Sequence, residues 1–404
     1  MTGDILFLAH RLPFPPDRGD KIRSFNMLKA LANHAPVHLA AFFDDPRDAR
    51  HREALAPYTS SRSIIWRGKS PKLAAAQALL SGRPVSLAAF DNAEMRAAVA
   101  RILAGHPVET IVVYSSQMAQ YLPAGAGRRV IMDFVDVDSA KFAAYAENAR
   151  GPTRWMMQRE ARLLLEHDRT VAARADASLF VSEEEAALFR AKSGAGRIFA
   201  IENGIDTVFF DPEALFAVVE EPGPLIVFTG QMDYRPNIEA VVWFADEVLP
   251  QVRHCFPKAR FAIVGRNPAG QVQALAQRAG VVVTGEVADV RGWLAAAALV
   301  VAPLRLARGV QNKVLEAMAM ARPVVVSSAA AQGIDHGGAI CVGDSAAEMA
   351  AAARALIDDP ARGAMLGKAA RAQVVARYGW AARLAPLDDL LRAPAVADGG
   401  GGRR

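Results

Sequence analysis

The sequence predicts an α/β protein of two doubly wound, Rossmann-like domains, and three observations carry that expectation. Apolar runs rich in Val, Ile and Leu alternate with Ala/Leu-rich helical stretches along the chain, the pattern of parallel sheets covered on both faces. The alternation stops at a breaker-rich stretch, Asp211-Pro212 and then Glu220-Glu221-Pro222-Gly223-Pro224, and restarts after it. The 404 residues, 52% hydrophobic and 22% charged, are too many for one ordinary core and enough for two.

In the first series, Ile5–Ala9, Val37–Phe43, Thr110–Val113, Val130–Phe134, Ala177–Val181 and Phe199–Ile201 read as doubly buried strands. Helical patterns lie between them at 24–33, 72–81, 92–104, 139–174 and 183–192. The second series places strands at Leu225–Thr229, Arg260–Val264, Val281–Thr284, Leu299–Ala302, Val324–Ser327 and Ala339–Val342. Its helices are expected near 237–253, 270–278, 289–296, 311–320, 346–357 and 361–376. Tyr378–Leu391 has amphipathic spacing through Trp380, Leu384, Leu387, Leu390 and Leu391, and the glycine-rich 393–404 is expected to fray. The expected domains are 1–215 and 222–376, facing each other across a cleft, with 377–392 returning to the first.

Composition excludes several classes. No uncharged apolar run approaches the ~18–20 residues of a membrane span; the longest, Leu294–Leu304, ends at Arg305. Two cysteines, Cys255 and Cys341, cannot build a disulfide framework or a Cys-rich metal site. The start of the chain shows no basic n-region or apolar h-region, so a cytoplasmic protein is expected. The net charge of +5 comes from the second half: residues 1–221 hold 27 basic and 27 acidic side chains, residues 222–404 hold 20 and 15. Such an excess suits a small anionic ligand better than nucleic acid.

In doubly wound sheets ligands bind beyond the carboxyl ends of the strands, so the strand-to-helix loops are where chemistry is expected. The first such loop, His10–Lys21, is too long and Pro-rich for a dinucleotide fingerprint, which argues against a nicotinamide oxidoreductase. Its Gly19 opens a helix beside Lys21 and Arg23, either as an anion contact or as a plain surface N-cap. Gly230 and Arg235 fall in the loop Thr229–Asn237, and Gly265-Arg266 follows the next strand, where Arg266 suits a nucleobase. The most informative loop is Ala302–Ala319. Gly309 permits close backbone approach, and Val310, Gln311 and Asn312 lead into a helix whose free N–H groups, with Arg308 and Lys313, suit a diphosphate. Glu316 lies on the Lys313 face and can accept from two vicinal hydroxyls. The alternative is a Lys–Glu or Arg–Glu surface pair.

The eight histidines show no metal-ligand spacing, so no metal and no cofactor are expected. Asp133, Asp136 and Asp138 cluster near a strand end. Asp136 or Asp138 suits a group that orients or deprotonates an acceptor hydroxyl, or else caps the helix after it.

The segment Ile201-Glu202-Asn203-Gly204-Ile205-Asp206, after Val181-Ser182-Glu183, resembles the N-G-[VI]-D passage of retaining GT-B glycosyltransferases of family 4. Leu315-Glu316-Ala317-Met318-Ala319 with Arg322-Pro323-Val324-Val325 resembles their L-E-A-M-A-x-G-x-P-V-V block, and Tyr378-Gly379-Trp380 their final crossing helix. Gly230–Asn237, Arg305–Met320 and Asp133–Ser139 are most similar to sugar transferases of PEP-CTERM/exosortase polysaccharide clusters. The resemblance implies a nucleoside-diphosphate sugar donor on the second domain. It also implies a saccharide or lipid-linked saccharide acceptor on the first, in exopolysaccharide or cell-surface glycan synthesis. By position, Glu316 would hold ribose, Lys313 and Arg308 the diphosphate, and Gly265, Arg266 and Val287 would border the base. Gly19 would approach the diphosphate from the first domain. Arg308 stands where the family's E-x7-E motif has its first glutamate, and Asp136 or Asp138 where its first-domain histidine is usual. A nucleotide-sugar epimerase or hydrolase, or a non-catalytic nucleotide-sugar binder, is the alternative. Arg150–Arg174, with six arginines, three acids and Trp155, suits either contact with anionic lipid or a solvated helix face.

Overall fold

The computed structural model describes residues 3–16, 18–125, 127–307 and 310–392. The chain divides into two compact units: Met1–Asn203 with the chain from Arg383 onward, and Gly204–Ala382.

The first unit is a seven-stranded parallel sheet: β1 (Asp4–Ala9), β2 (Val37–Phe43), β3 (Ser61–Trp66), β4 (Val108–Tyr114), β5 (Arg129–Val135), β6 (Ala177–Phe180) and β7 (Ile198–Ala200). The strand order is β3-β2-β1-β4-β5-β6-β7. Apart from Asp4 and His38, β1 and β2 are apolar, and both are buried almost throughout, as strands covered on both faces must be. Strand β3 was not expected: its Ser-Arg-Ser-Ile-Ile-Trp lacks a continuous apolar run because it is an edge strand, with only Ile65 fully buried. The helix expected over 139–174 is two helices, Asp138–Asn148 and Gly151–Arg174. Gly151 sits at a φ of +55°, which breaks the helical path, and Pro152 lies in the first turn of the second helix.

The most deeply buried ion pair of this unit, Arg23–Asp133, anchors it. Arg23, on the helix Gly19–Ala32, donates from Nε to Asp133 of β5 at 2.8 Å, with both side chains fully buried. Its Nη1 also donates to the Ile201 carbonyl at 2.7 Å and to Asn203 Oδ1 at 3.1 Å. Arg23 thereby ties the first helix to the segment that leaves the unit. From Arg383 onward the helix Trp380–Arg392 buries Leu384, Leu387 and Leu391, and Asp388 sits 2.7 Å from His34 Nε2.

The second unit holds six parallel strands: β8 (Leu225–Thr229), β9 (Arg260–Val264), β10 (Val281–Gly285), β11 (Leu299–Ala302), β12 (Val324–Val326) and β13 (Cys341–Val342). Their order, β10-β9-β8-β11-β12-β13, reverses direction between β8 and β11. That switch point sets the loops after β8 and β11 side by side, where doubly wound sheets bind ligands. Ile205 forms an isolated parallel bridge with Gly379, and a Cβ at Gly204 would stand 2.7 Å from the Trp380 Cα. Only glycine permits that approach. Asp206 Oδ1 closes the same passage by accepting from the Val208 and Phe209 amides. No helix among the described residues is long and apolar enough to cross a membrane.

Candidate functional site

The carboxyl ends of β8, β9 and β10 are joined by backbone hydrogen bonds. Gly230 N donates to the Val264 carbonyl at 3.0 Å, Gly265 N to Gly285 at 3.1 Å, and Met232 N to Arg266 at 2.9 Å. The chains approach so closely that a Cβ at Gly265 would lie 1.6 Å from the Gly230 oxygen. Glycine is therefore required at 265 by backbone crowding.

Above this floor lies an open cavity of about 760 Å³ within the second unit. Of the residues singled out from the sequence, Gly230, Gly265, Arg266, Val287, Val310, Gln311, Asn312, Lys313 and Glu316 all line it. The helix Asn312–Ala319 starts at its wall, with Gln311 as N-cap and no side-chain cap. The first amides of a helix have no intrahelical acceptor, so they and the dipole's positive end are available to an anion.

Lys313 is held in place. Its Nζ donates to Asn237 Oδ1 at 2.5 Å and stands 4.3 Å from the centroid of the Phe228 ring. Buried Asn237 is itself fixed, donating from Nδ2 to the Gln231 carbonyl at 2.8 Å. A Cβ at Gly230 would come within 3.2 Å of the Lys313 ammonium, so glycine there leaves the cation its place. Burial pushes the Lys313 pKa down to about 8, opposed by the nearby Glu316. Burial pushes the Glu316 pKa up to about 7, opposed by Lys313. Neither group is a solvated surface pair. A cation and a carboxylate kept partly desolvated beside a cavity are the usual signature of a site that binds or reacts.

Several expectations are corrected. Arg235 does not line the cavity: it is almost fully exposed and pairs with Glu239 one turn along its own helix at 2.7 Å. Asp136 and Asp138 both lie within reach of Lys141, at 2.6 and 3.3 Å. Neither caps the helix, which starts at Asp138 after Val137 with no side-chain cap. The Val137 amide instead donates to Glu185. Gly19 opens the first helix in the first unit, and a Cβ there would meet nothing within 4 Å. Arg308 and Gly309 lie outside the described residues. The cavity also brings in Gln231, Tyr234, Asn237 and Glu286. Asn237, buried in the first turn of its helix, is the most consequential of these; its only sequence signal was membership of the loop after β8.

The two-sheet architecture is of the GT-B class. Residues 223–359, within the second unit, match the family profile described as glycosyl transferases group 1. Among solved structures, Anabaena Alr3699/HepE in complex with UDP and glucose is similar at a TM-score of 0.57 and 15% identity, covering 97% of this chain and 100% of that chain. The sucrose-phosphate synthase of Thermosynechococcus elongatus reaches 0.57 at 19% identity, covering 96% and 98%. S. aureus TarM, in a mutant complex with fondaparinux, alpha-GlcNAc-glycerol and UDP, reaches 0.58 at 11%, covering 97% and 100%. No curated protein sequence matches the chain. The profile match and the fold together support a glycosyltransferase.

Proposed function

We propose that this chain is a retaining, metal-independent glycosyltransferase of family 4. It would move a sugar from a nucleoside diphosphate to a saccharide or lipid-linked saccharide acceptor in exopolysaccharide or cell-surface glycan synthesis. The observation that carries the reading is the Lys313–Glu316 pair at an uncapped helix N-terminus on the wall of the second unit's cavity. The diphosphate is assigned to the helix amides and Lys313, and Arg308 and Gly309 are proposed for it from their place in the sequence alone. Glu316 accepts from the ribose hydroxyls, and Arg266 and Val287 border the base.

In the reaction the bond from the anomeric carbon to the diphosphate oxygen breaks and its electron pair leaves with the nucleoside diphosphate. The acceptor oxygen bonds the same carbon on the same face, and its proton passes to a base, for which Asp136 or Asp138 is proposed. Gly19 is proposed as a close anion contact. Positive groups placed where negative charge develops stabilise the departing diphosphate. Peripheral contact with the inner face of the plasma membrane through the Gly151–Arg174 helix, where Trp155 is exposed, belongs to the same proposal.

A thermal-shift panel of nucleoside-diphosphate sugars tests donor binding, since a ligand of the folded state alone raises its apparent stability. The matching donor is expected to shift the wild type. Glu316→Gln is expected to weaken donor binding roughly tenfold to a hundredfold, the value of hydrogen bonds to a charged acceptor. A full shift in that variant overturns the ribose assignment. Donor consumption without acceptor would instead favour an epimerase or hydrolase.

The pH dependence has a definite sign. Glu316 accepts best as a carboxylate, which is gained as pH rises through about 7. Lys313 grips the diphosphate only as an ammonium, which is lost as pH rises through about 8. Accordingly, kcat/KM for the donor is expected to peak in the narrow interval between, because that ratio reports the free enzyme's groups. A flat profile from pH 6 to 9 speaks against both roles.

A further inference from the structure

We propose that Asp4, His38 and His106 form a divalent metal site, of the kind that holds zinc, at the amino-terminal ends of the first unit's strands, opposite its strand-to-helix loops. The three residues are far apart in sequence, and parallel pairing brings them together. Asp4 begins β1, His38 lies in β2 opposite Leu6 of β1, and His106 immediately precedes β4, whose Val108 pairs with Asp4. One ligand atom from each lies within 4.8 Å of the other two, the one such group among the described residues.

Two neutral imidazoles and a carboxylate are ligands that zinc accepts, and they supply a single negative charge to a dication. His38 Nε2 stands 2.9 Å from Asp4 Oδ2, and the His38 side chain is 2% exposed. The His106 ring stacks on that of His38 with centroids 3.9 Å apart. In a tetrahedral site with bonds of ~2.0–2.1 Å, ligand atoms stand about 3.3 Å apart. The Asp4–His38 spacing is already near that value, and His106, being exposed, can rotate to meet it.

A prepared outer contact strengthens the case. His38 Nδ1 lies 2.8 Å from Ser61 Oγ of β3, where β2 and β3 pair. A serine hydroxyl both donates and accepts. Without metal it can donate to Nδ1 while Nε2–H faces Asp4. With metal bound, the proton sits on Nδ1 and is donated to Ser61, freeing the Nε2 lone pair for the ion. A histidine ligand whose second nitrogen is held by such a partner is the common arrangement of protein metal sites. The ion would clamp the starts of β1, β2 and β4, with water in the fourth position of the tetrahedron. Scanning for ligands at fixed spacing could not find it, because each ligand comes from a different strand.

The test is titration of tag-free, metal-stripped protein with Co²⁺, followed by its visible d–d absorption and by equilibrium uptake. Wild type is expected to bind one equivalent with nitrogen-type bands that Zn²⁺ abolishes. His106→Ala, at an exposed position, should abolish the bands or weaken binding by more than about tenfold, and Ser61→Ala should weaken it roughly 10–100-fold. Circular dichroism of both variants should match the wild type. Absence of uptake by the wild type, or uptake that both variants leave unchanged, overturns the proposal and leaves Asp4 and His38 as a hydrogen-bonded strand clasp.

Discussion

Lys313→Ala is expected to lower transferase turnover at least about a hundredfold while the protein stays folded. Removing one preorganised donor from a developing oxyanion costs roughly 2.7–4 kcal/mol of activation free energy, a factor of about 10²–10³. Lys313 is that kind of donor: Asn237 fixes its Nζ at 2.5 Å, the Phe228 ring lies beneath it, and nothing bulkier than Gly230 crowds it. Stability should not fall with activity, because burial works against the Lys313 charge. Deleting an ammonium held against a desolvation cost removes a burden from the folded state. Paired measurements of turnover and thermal midpoint decide the matter. A variant turning over near the wild-type rate would remove leaving-group stabilisation at this position from the mechanism. Equal loss of turnover and thermal midpoint would make Lys313 structural instead.

Asn237→Ala should act in the same direction but more weakly, since it frees the ammonium without removing it. The contrast between the two residues shows what a linear reading of the chain reaches. Lys313, Gly265 and Arg266 were legible because each occupies a loop or first helical turn at the carboxyl end of an apolar strand, where doubly wound sheets place ligands, and Glu316 because it follows Lys313 by three residues on the same helix face. Asn237 acquires its role from a partner 76 residues away, a distance set by tertiary packing. Arg235, two residues earlier, looked equally cationic and equally well placed. Its position on the helix turns it to solvent and to Glu239, which a loop-level reading does not resolve.

The fold itself was legible where burial is complete. Strands β8, β9 and β11 match their expected bounds to the residue, because continuous Val, Ile, Leu and Phe leave no other doubly covered segment. Legibility fails where one face is open or a short break is local: edge strand β3 carries serine and arginine, and only the two residues Ala149 and Arg150 separate the helices on either side of the break before Gly151. The expected ends of the Asp138 helix failed differently. A carboxylate at the start of a helix reads as a cap, yet here Lys141 holds Asp136 and Asp138 as ion pairs.

Arg23→Ala is expected to destabilise the first unit by about 3–5 kcal/mol, the usual consequence of leaving one member of a buried ion pair without its partner. The argument rests on Asp133, which is fully buried and whose only cationic hydrogen-bond donor among the described residues is Arg23 Nε at 2.8 Å. Its other oxygen accepts from the Val135 amide. Burial raises the Asp133 pKa, against the pull of Arg23. Without that pull the folded state holds the Asp133 proton more tightly than the unfolded chain does. Stability of the variant should therefore fall further as pH rises through and above the ordinary carboxylate range, and recover partly in mild acid. Denaturant midpoints at several pH values check both the size and the sign. The double variant Arg23→Met/Asp133→Leu, which removes both charges, should regain much of the loss, as replacing both ions of a buried pair with apolar groups commonly does. Arg23 also holds the Ile201 carbonyl and Asn203, so Arg23→Ala should loosen the segment leaving the first unit. Faster amide exchange there than elsewhere in the unit would report it. An Arg23→Ala protein as stable as wild type at neutral pH would mean that Asp133 is already protonated in the native state, and that its 2.8 Å contact is not an ion pair.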